Sequence, residues 1–159
     1  MKKRPLDFVW VNMEFLEIVN DKRVYMPLLL LADEQEDMVE KYIDNGRMFV
    51  LKDPCVKAEC VVTDEGNGVL EIKNLAVYPD AQKHGYGRAL VAFIEKEFSG
   101  CFEILQVGTG DSPLTVPFYE RCGFTKSHIV KNFFVENYHH PIYEAGKRLV
   151  DMVYFQKML

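Results

Sequence analysis

A glycine-bearing loop that follows an apolar strand is the segment of this sequence best suited to chemistry. Its residues are Gln82-Lys83-His84-Gly85-Tyr86-Gly87-Arg88. The two glycines let the backbone approach an anion where a Cβ would clash. A helix that starts in this loop would present backbone N–H groups at the positive end of its dipole, and Lys83 and Arg88 would add charge. The pattern therefore predicts a site for a phosphate or pyrophosphate group.

Two other phosphate-binding patterns do not fit this loop. The Walker A pattern requires Gly-Lys followed by Ser or Thr, and the loop contains neither hydroxyl residue. The dinucleotide-binding pattern requires three glycines near the start of a parallel sheet, whereas this loop has two and lies late in the chain. An isolated Gly-x-Gly is also typical of a tight turn that opens a helix. The preceding strand and the spacing from Gln82 are what favour anion binding.

A second motif follows the loop after one predicted helix and one predicted strand. It reads Phe118-Tyr119-Glu120-Arg121-Cys122-Gly123-Phe124. Together, the two segments resemble the GNAT superfamily of N-acetyltransferases, with its Gln/Arg-x-x-Gly-x-Gly/Ala acetyl-CoA loop and its Phe-Tyr-x-x-x-Gly-Phe segment. The run Gly108-Thr109-Gly110 and the C-terminal residues are similar to a subgroup of small bacterial GNAT proteins.

The resemblance implies that acetyl-CoA is the cosubstrate and that no metal takes part. Backbone groups of Leu75, Ala76 and Val77 would pair with the pantetheine arm like an added strand. The loop would hold the pyrophosphate through Gln82, Lys83, His84, Gly85, Tyr86, Gly87 and Arg88. Ser112 occupies the position where the family often has an asparagine that contacts the cofactor arm.

The resemblance also implies two catalytic side chains. An alkylamine has a pKa of about 10, so a base must remove its proton before it attacks the thioester. Glu71 lies where histone-acetylating members of the family carry their glutamate, and Tyr119 matches the usual general acid for the departing thiolate. The structural alternatives are an outward-facing strand carboxylate for Glu71 and a core aromatic for Tyr119. The expected reaction is direct transfer in a ternary complex, without an acetylated cysteine.

The predicted elements position these motifs in an α+β fold with α/β/α layers. Helices are expected over 27–42, from the glycine loop to Phe98, and over 112–121, where Pro117 makes the first turn irregular. The order of elements predicts a GNAT-like mixed, mostly antiparallel sheet with a central splayed parallel strand pair and flanking helices. Residues 1–159 are expected to form one domain. Strands are expected over 8–18, Arg47–Lys52, 58–63, Val69–Val77, 102–107, 127–135 and 149–157.

The charge balance argues against a general nucleic-acid-binding protein. The chain has 159 residues with 19 Lys+Arg and 24 Asp+Glu, which gives a net charge of −5. The acidic surplus lies in residues 33–44, and this segment either forms a solvated helix face or attracts a cationic acceptor. Its acidic residues are Asp33, Glu34, Glu36, Asp37, Glu40 and Asp44.

The sequence predicts a cytoplasmic protein that does not bind a membrane. Its longest apolar run, 26–32, is too short to cross a bilayer, and the basic residues 2–4 are not followed by the apolar core of a signal peptide. The adjacent pair His139-His140 has no third ligand pattern, so no metal is expected. Reduced thiols are expected because no CxxC pair occurs among Cys55, Cys60, Cys101 and Cys122.

Two alternatives to an active enzyme stay open at this stage. The chain could be a catalytically silent acyl-CoA-binding module, or an unrelated phosphate-binding protein. Glu71 and Tyr119 favour the enzyme, because a module that only binds needs neither residue. The expected partners are acetyl-CoA and an amine acceptor, which could be cationic, and a homodimer is a further option. Asp111, Trp10, Tyr138 and the loop 136–148 are candidate acceptor contacts.

Overall fold

The computed structural model describes residues 13–159, so Trp10 and the first part of the predicted strand 8–18 lie outside the described residues. The chain divides into two compact units. The first unit is Met1–Thr63 with Asn74–Ile94, and the second is Asp64–Lys73 with Glu95–Leu159. Organisation as one domain therefore stays a prediction.

The strands of the described residues confirm the predicted mixed sheet with a central parallel pair. Their order in the sheet is β1-β2-β3-β4-β5-β9-β6, and β7 and β8 pair separately. β4 and β5 are parallel, with Val69 opposite Ile104 and Ile72 opposite Val107, whereas β9 is antiparallel to both β5 and β6. The strands are β1 (Glu14–Ile18), β2 (Arg47–Lys52), β3 (Val56–Asp64), β4 (Val69–Val77), β5 (Ile104–Gly110), β6 (Thr125–Val130), β7 (Tyr143–Glu144), β8 (Lys147–Arg148) and β9 (Met152–Met158).

The predicted helix over 27–42 is wrong as a single element. Two short helices replace it, α1 (Met26–Leu29) and α2 (Glu36–Glu40). Gln35 between them is extended, with φ −119° and ψ 118°, and the acidic residues Glu36 and Asp37 form the first turn of α2. Acidic side chains are stabilised at the start of a helix by its dipole, so this charged run favours a new helix start over a helix interior.

The remaining helices are α3 (Tyr86–Phe98), α4 (Val116–Arg121) and α5 (Phe133–Asn137). The predicted start of α4 at Ser112 was wrong, since the helix begins at Val116. Instead the Ser112 hydroxyl accepts a hydrogen bond from the Leu114 N–H at 3.1 Å in the preceding turn. Pro117 consequently lies in the first turn of α4, where its missing N–H breaks no hydrogen bond.

The prediction of a strand over 127–135 was wrong beyond Val130. Asn132 adopts a left-handed conformation with φ +59°, and its N–H donates to the Asp151 carboxylate at 2.8 Å, so the strand ends and α5 begins. The apolar residues that suggested a longer strand instead pack in a small cluster, in which Phe134 contacts Ile142 and Leu149. The predicted loop 136–148 contains the β7–β8 hairpin.

The core of the first unit lies between α1, α2 and the strands β2 and β3. Val61 of β3 packs in this cluster with Leu29 and Tyr42. Because side chains alternate along a strand, residues two positions from Val61 point to the same face of the sheet. Glu59 and Val61 therefore share the face that α1 and α2 cover.

Candidate functional site

The glycine-bearing loop has left-handed backbone at two residues shortly before α3 begins. Lys83 and Gly85 are both left-handed, with φ +65° and +84°, and α3 begins at Tyr86. A Cβ added to Gly85 would meet no atom within 4 Å, so the space in front of this residue is open. Ala89 makes the first backbone bond of the helix, to the Gly85 carbonyl at 3.0 Å. The N–H groups of residues 86–88 thus stand at the helix start without intrahelical partners.

Side chains of the loop bond to the loop itself. Gln82 Nε2 donates to the Val77 carbonyl at 3.3 Å, and His84 Nδ1 lies 3.1 Å from the Ala81 carbonyl oxygen. These contacts connect the end of β4 to the start of α3. Gln82 thereby stabilises the turn of the loop, a role that its place in the motif alone did not reveal.

Tyr86 connects the loop to the turn between β2 and β3. Its hydroxyl donates to Asp53 Oδ2 at 2.7 Å, and this hydrogen bond is the main cause of a raised pKa for Tyr86. The Asp53 N–H in turn donates to the Cys55 carbonyl at 2.8 Å. Sequence reasoning missed Asp53, because a single aspartate before a proline carries no signal of a contact more than thirty residues away.

Glu71 lies in the second unit and is buried, so the reading of this residue as an outward-facing carboxylate was wrong. Its Oε2 is 2.5 Å from Lys73 Nζ, and its Oε1 accepts a hydrogen bond from Gln106 Nε2 at 2.5 Å. Burial lowers the pKa of Lys73, but the ion pairs with Glu71 and Glu65 outweigh it and hold that pKa above its usual range. Both oxygens of Glu71 are thus engaged.

Tyr119 is buried in α4 of the second unit, and only 7% of its surface is exposed. Its ring packs edge-to-face against Phe118 and Phe124, with centroids 5.0 and 5.6 Å away. Edge-to-face packing fixes the plane of the ring and so the direction of its hydroxyl. The position is compatible with both predicted readings, a core aromatic and a proton donor.

The other candidate acceptor contacts lie on or near the surface of the second unit. Asp111 is exposed and pairs with Lys147 at 3.1 Å. Tyr138 stacks on Phe134, with ring centroids 5.5 Å apart. Asp111 therefore already carries a counter-ion, and Tyr138 has a packing role.

The acidic segment 33–44 is partly neutralised by one arginine. Arg23 donates to Glu40 at 2.5 and 2.9 Å and to Asp44 at 2.9 and 3.0 Å. These hydrogen bonds hold the pKa values of Glu40 and Asp44 below their usual range. The pairs are exposed, and exposed pairs contribute little to stability. Most of this segment is consistent with a solvated face.

A buried polar cluster in the first unit was not predicted. It consists of Glu59, Asn74, Tyr42 and Asp33. Asn74 Nδ2 donates to the Leu29 carbonyl and to the Tyr42 hydroxyl, both at 3.0 Å. The Tyr42 hydroxyl donates to Asp33 Oδ2 at 3.2 Å. The sequence signal for this cluster was a glutamate inside the apolar run Ala58–Val62. Burying a charged residue in a strand is costly, so such a residue suggests a function.

Residues 13–159 contain neither a metal-binding cluster nor a membrane-spanning helix. Within them, no three His, Cys, Asp or Glu side chains are grouped so that they could hold a metal ion. No helix of that part of the chain is long and apolar enough to cross a bilayer. All four cysteines are free, with no disulfide between any two of them.

The regions that match known proteins include the glycine-bearing loop, residues 82–88. A family model described as an acetyltransferase (GNAT) domain matches residues 44–126, a range that contains α3 and Tyr119. The uncharacterized N-acetyltransferase YvbK of Bacillus subtilis is 32% identical over 146 residues. The matched region covers 90% of this chain and 93% of YvbK, so the similarity extends well beyond the two motifs.

Two solved structures resemble this one along almost the whole chain. A GNAT family acetyltransferase from Elizabethkingia anophelis, with acetyl-CoA bound, is 28% identical at a TM-score of 0.88, covering 94% of this chain and 99% of that protein. An acetyltransferase of Bacillus subtilis in complex with CoA is 29% identical at a TM-score of 0.83, covering 92% and 99%. Both of those proteins bind the cofactor in its acetylated or deacetylated form.

Proposed function

Because the chain belongs to the GNAT family of acetyltransferases, we propose that it transfers the acetyl group of acetyl-CoA to a primary amine of a small molecule or peptide. The family membership confirms the resemblance that the two motifs indicated, and with it the activity class of an N-acetyltransferase. Family membership alone does not specify the amine acceptor or the direct attack on the thioester, so these two statements are the proposal itself. Both substrates bind together, and no cysteine becomes acetylated.

The conformation of the glycine-bearing loop is the observation that carries the proposal. Left-handed Gly85, the open space before it and the N–H groups at the start of α3 suit a pyrophosphate. In the proposal, residues 82–88 hold that group and the backbone of residues 75–77 pairs with the pantetheine arm. Ser112 contributes a contact to the arm, and no metal is required.

Two side chains of the second unit have catalytic roles in the proposal. Glu71 accepts the proton of the attacking amine, either directly or through water, because its carboxylate is held in place by Lys73 and Gln106. Tyr119 donates its phenolic proton to the thiolate that leaves as the C–S bond breaks. The amide bond forms between the amine nitrogen and the acetyl carbon, so each proton and electron pair is accounted for.

The cellular setting is part of the same proposal. Four reduced cysteines suit the cytoplasm, where disulfides are rare, and we propose that compartment. A homodimer is one option for the assembly of the protein. Light scattering at several protein concentrations would measure the mass directly.

A screen of primary amines tests the function. Purified protein is mixed with acetyl-CoA and each amine, and release of the CoA thiol is followed with a thiol reagent. Turnover with at least one amine, with the acetylated amine identified by mass spectrometry, is the expected result. Tight binding of acetyl-CoA without turnover for any amine would instead identify an acyl-CoA-binding module. Stabilisation by ATP or NAD but not by acetyl-CoA would identify an unrelated phosphate-binding protein.

Asp53 is expected to position the loop through Tyr86. Asp53→Ala and Tyr86→Phe should each raise the KM for acetyl-CoA about five- to tenfold, because each removes the hydrogen bond that fixes the loop. Steady-state kinetics at saturating amine would show this with kcat unchanged. If charge near the pyrophosphate were the dominant effect, Asp53→Ala would lower KM, since it removes a negative charge. The double variant should be no worse than either single one, and additive effects would contradict the contact.

A further inference from the structure

Glu59 is the most unusual ionisable group in the described part of the chain. It lies on β3 opposite Val50 of β2, with none of its surface exposed. Neither of its carboxyl oxygens accepts a well-formed hydrogen bond from the described residues. Burial raises the pKa of Glu59 well above its usual range, and an interaction with the backbone of Ala76 offsets that rise only in part. Burial therefore favours the neutral form of Glu59, and its carboxyl oxygens are poorly paired.

Asn74 offers a second unused acceptor in the same unit. Both of its amide hydrogens are taken, by the Leu29 carbonyl and the Tyr42 hydroxyl, and this fixes which end of the amide is oxygen. Its Oδ1 is buried and has no hydrogen-bond partner among residues 13–159. Glu59 is close enough to Tyr42 to raise the pKa of that phenol, after burial and Asp33 as the larger causes. Asn74 thus bonds Tyr42 directly, and Glu59 acts on the same phenol electrostatically.

The cluster extends from the interior towards the surface. Exposure increases in the order Glu59, Asn74, Tyr42, with 0%, 3% and 9% of the surface accessible, and Asp33 is half-buried. The hydrogen bonds run outward, from Asn74 to Tyr42 and from Tyr42 to Asp33. The four residues therefore range from a fully buried carboxyl at Glu59 to a half-buried one at Asp33.

The unused atoms define the chemistry of a matching ligand. A buried acceptor without a donor is costly, so the three unpartnered oxygens of Glu59 and Asn74 favour a ligand that is rich in donors. A primary ammonium group has three N–H donors, no acceptor and a positive charge. An anion would face mainly acceptor oxygens, and Mg²⁺ or Ca²⁺ would need about six oxygen ligands, more than this cluster provides.

We propose that Glu59 and Asn74 bind the primary ammonium group of the acceptor, an inference that rests on the proposed function. When the ammonium ion arrives, the neutral Glu59 loses its proton to water and becomes a carboxylate. One proton is therefore released for each complex formed.

Calorimetry on the CoA-bound protein tests this binding without requiring turnover. The probes are propylamine, benzylamine and 1,3-diaminopropane, and propan-1-ol is the neutral counterpart of propylamine. Each is titrated in two buffers of different ionisation enthalpy, so that released protons are counted. Glu59→Gln is the variant, because glutamine keeps the size of a neutral glutamic acid. Glu34→Gln is the matched control, since it makes the same change at an exposed residue of the acidic segment.

The wild-type protein and Glu34→Gln should bind at least one amine with proton release, and neither should bind propan-1-ol. Glu59→Gln should bind that amine about tenfold or more weakly, without proton release and with unchanged affinity for CoA. Equal amine affinity in Glu59→Gln, binding without proton release, or no binding of any probe to the wild type would overturn the inference.

Measuring turnover shows whether a negative result contradicts the Glu59 site or the proposed function. If the wild type and Glu59→Gln acetylate an amine with the same kcat/KM, the enzyme is confirmed and the Glu59 site is rejected. If neither protein binds acetyl-CoA or CoA, the proposed function fails. The amine titrations are then repeated on the protein without CoA, where the same comparison of variants decides the Glu59 site.

Discussion

Replacement of Tyr119 by phenylalanine is expected to lower kcat by about a hundredfold or more, while acetyl-CoA binds as before. The variant removes only the hydroxyl that we propose as the proton donor to the leaving thiolate. The ring keeps its edge-to-face contacts with Phe118 and Phe124, so the local packing stays intact. Steady-state kinetics with a reactive amine and calorimetry with acetyl-CoA separate the chemical step from binding.

Tyr143→Phe is the matched control for the Tyr119 variant. Tyr143 is 56% exposed on β7, so loss of its hydroxyl should leave kcat and the free energy of unfolding unchanged. An unchanged kcat in Tyr119→Phe would show that Tyr119 is only a core aromatic and that the thiolate takes its proton elsewhere. A lower kcat accompanied by a lower melting temperature would point to packing and would contradict the assigned role.

Glu59→Gln is expected to change how the stability of the protein depends on pH. The folded-state pKa of Glu59 lies well above its unfolded value of about 4.3, because burial disfavours the charged form. Between these two pKa values the folded state binds the extra proton, so the free energy of unfolding falls as pH rises, by about 1.4 kcal/mol per pH unit. Below pH of about 4.3 both states are protonated and this loss is absent.

Chemical denaturation of the two proteins over a pH series measures this effect. The stability of Glu59→Gln relative to wild type should increase as pH rises from about 4.3 towards the folded-state pKa of Glu59. Glutamine cannot ionise, so the variant lacks the pH-dependent loss that Glu59 causes. A stability difference that does not vary with pH would mean that Glu59 titrates normally in the folded protein. Glu97→Gln, an exposed glutamate of α3, provides the baseline for the same chemical change.

The parts of the fold predicted correctly are those that local patterns specify. The glycine-bearing loop, the start of α3 and the parallel pairing of β4 with β5 follow from turn chemistry and from the order of strands and helices. The errors occur where an apolar pattern continues across a break in the backbone. The pattern over 27–42 hid the extended Gln35, and the apolar residues after Val130 suggested a strand where Asn132 turns the chain.

The sequence predicted the motifs of the candidate site, but it did not predict which side chains contact the motif residues. Glu71 and Tyr119 were found because they occupy recognisable positions in the sequence. The ion pair of Glu71 with Lys73 spans two residues and still gave no signal, because neighbouring charges on a strand are common on solvated surfaces. The contact of Glu71 with Gln106 and that of Asp53 with Tyr86 depend on tertiary folding, which brings distant segments together.

Lys83 combines a strained backbone conformation with a positively charged side chain. A residue with a Cβ in the left-handed region is less stable there than glycine would be, by about 1 kcal/mol. Glycine at this position would relieve the strain, but it would remove a positive charge from the segment that we propose to hold the pyrophosphate. Engineering for heat resistance would therefore select glycine at position 83, whereas selection for cofactor affinity would retain lysine.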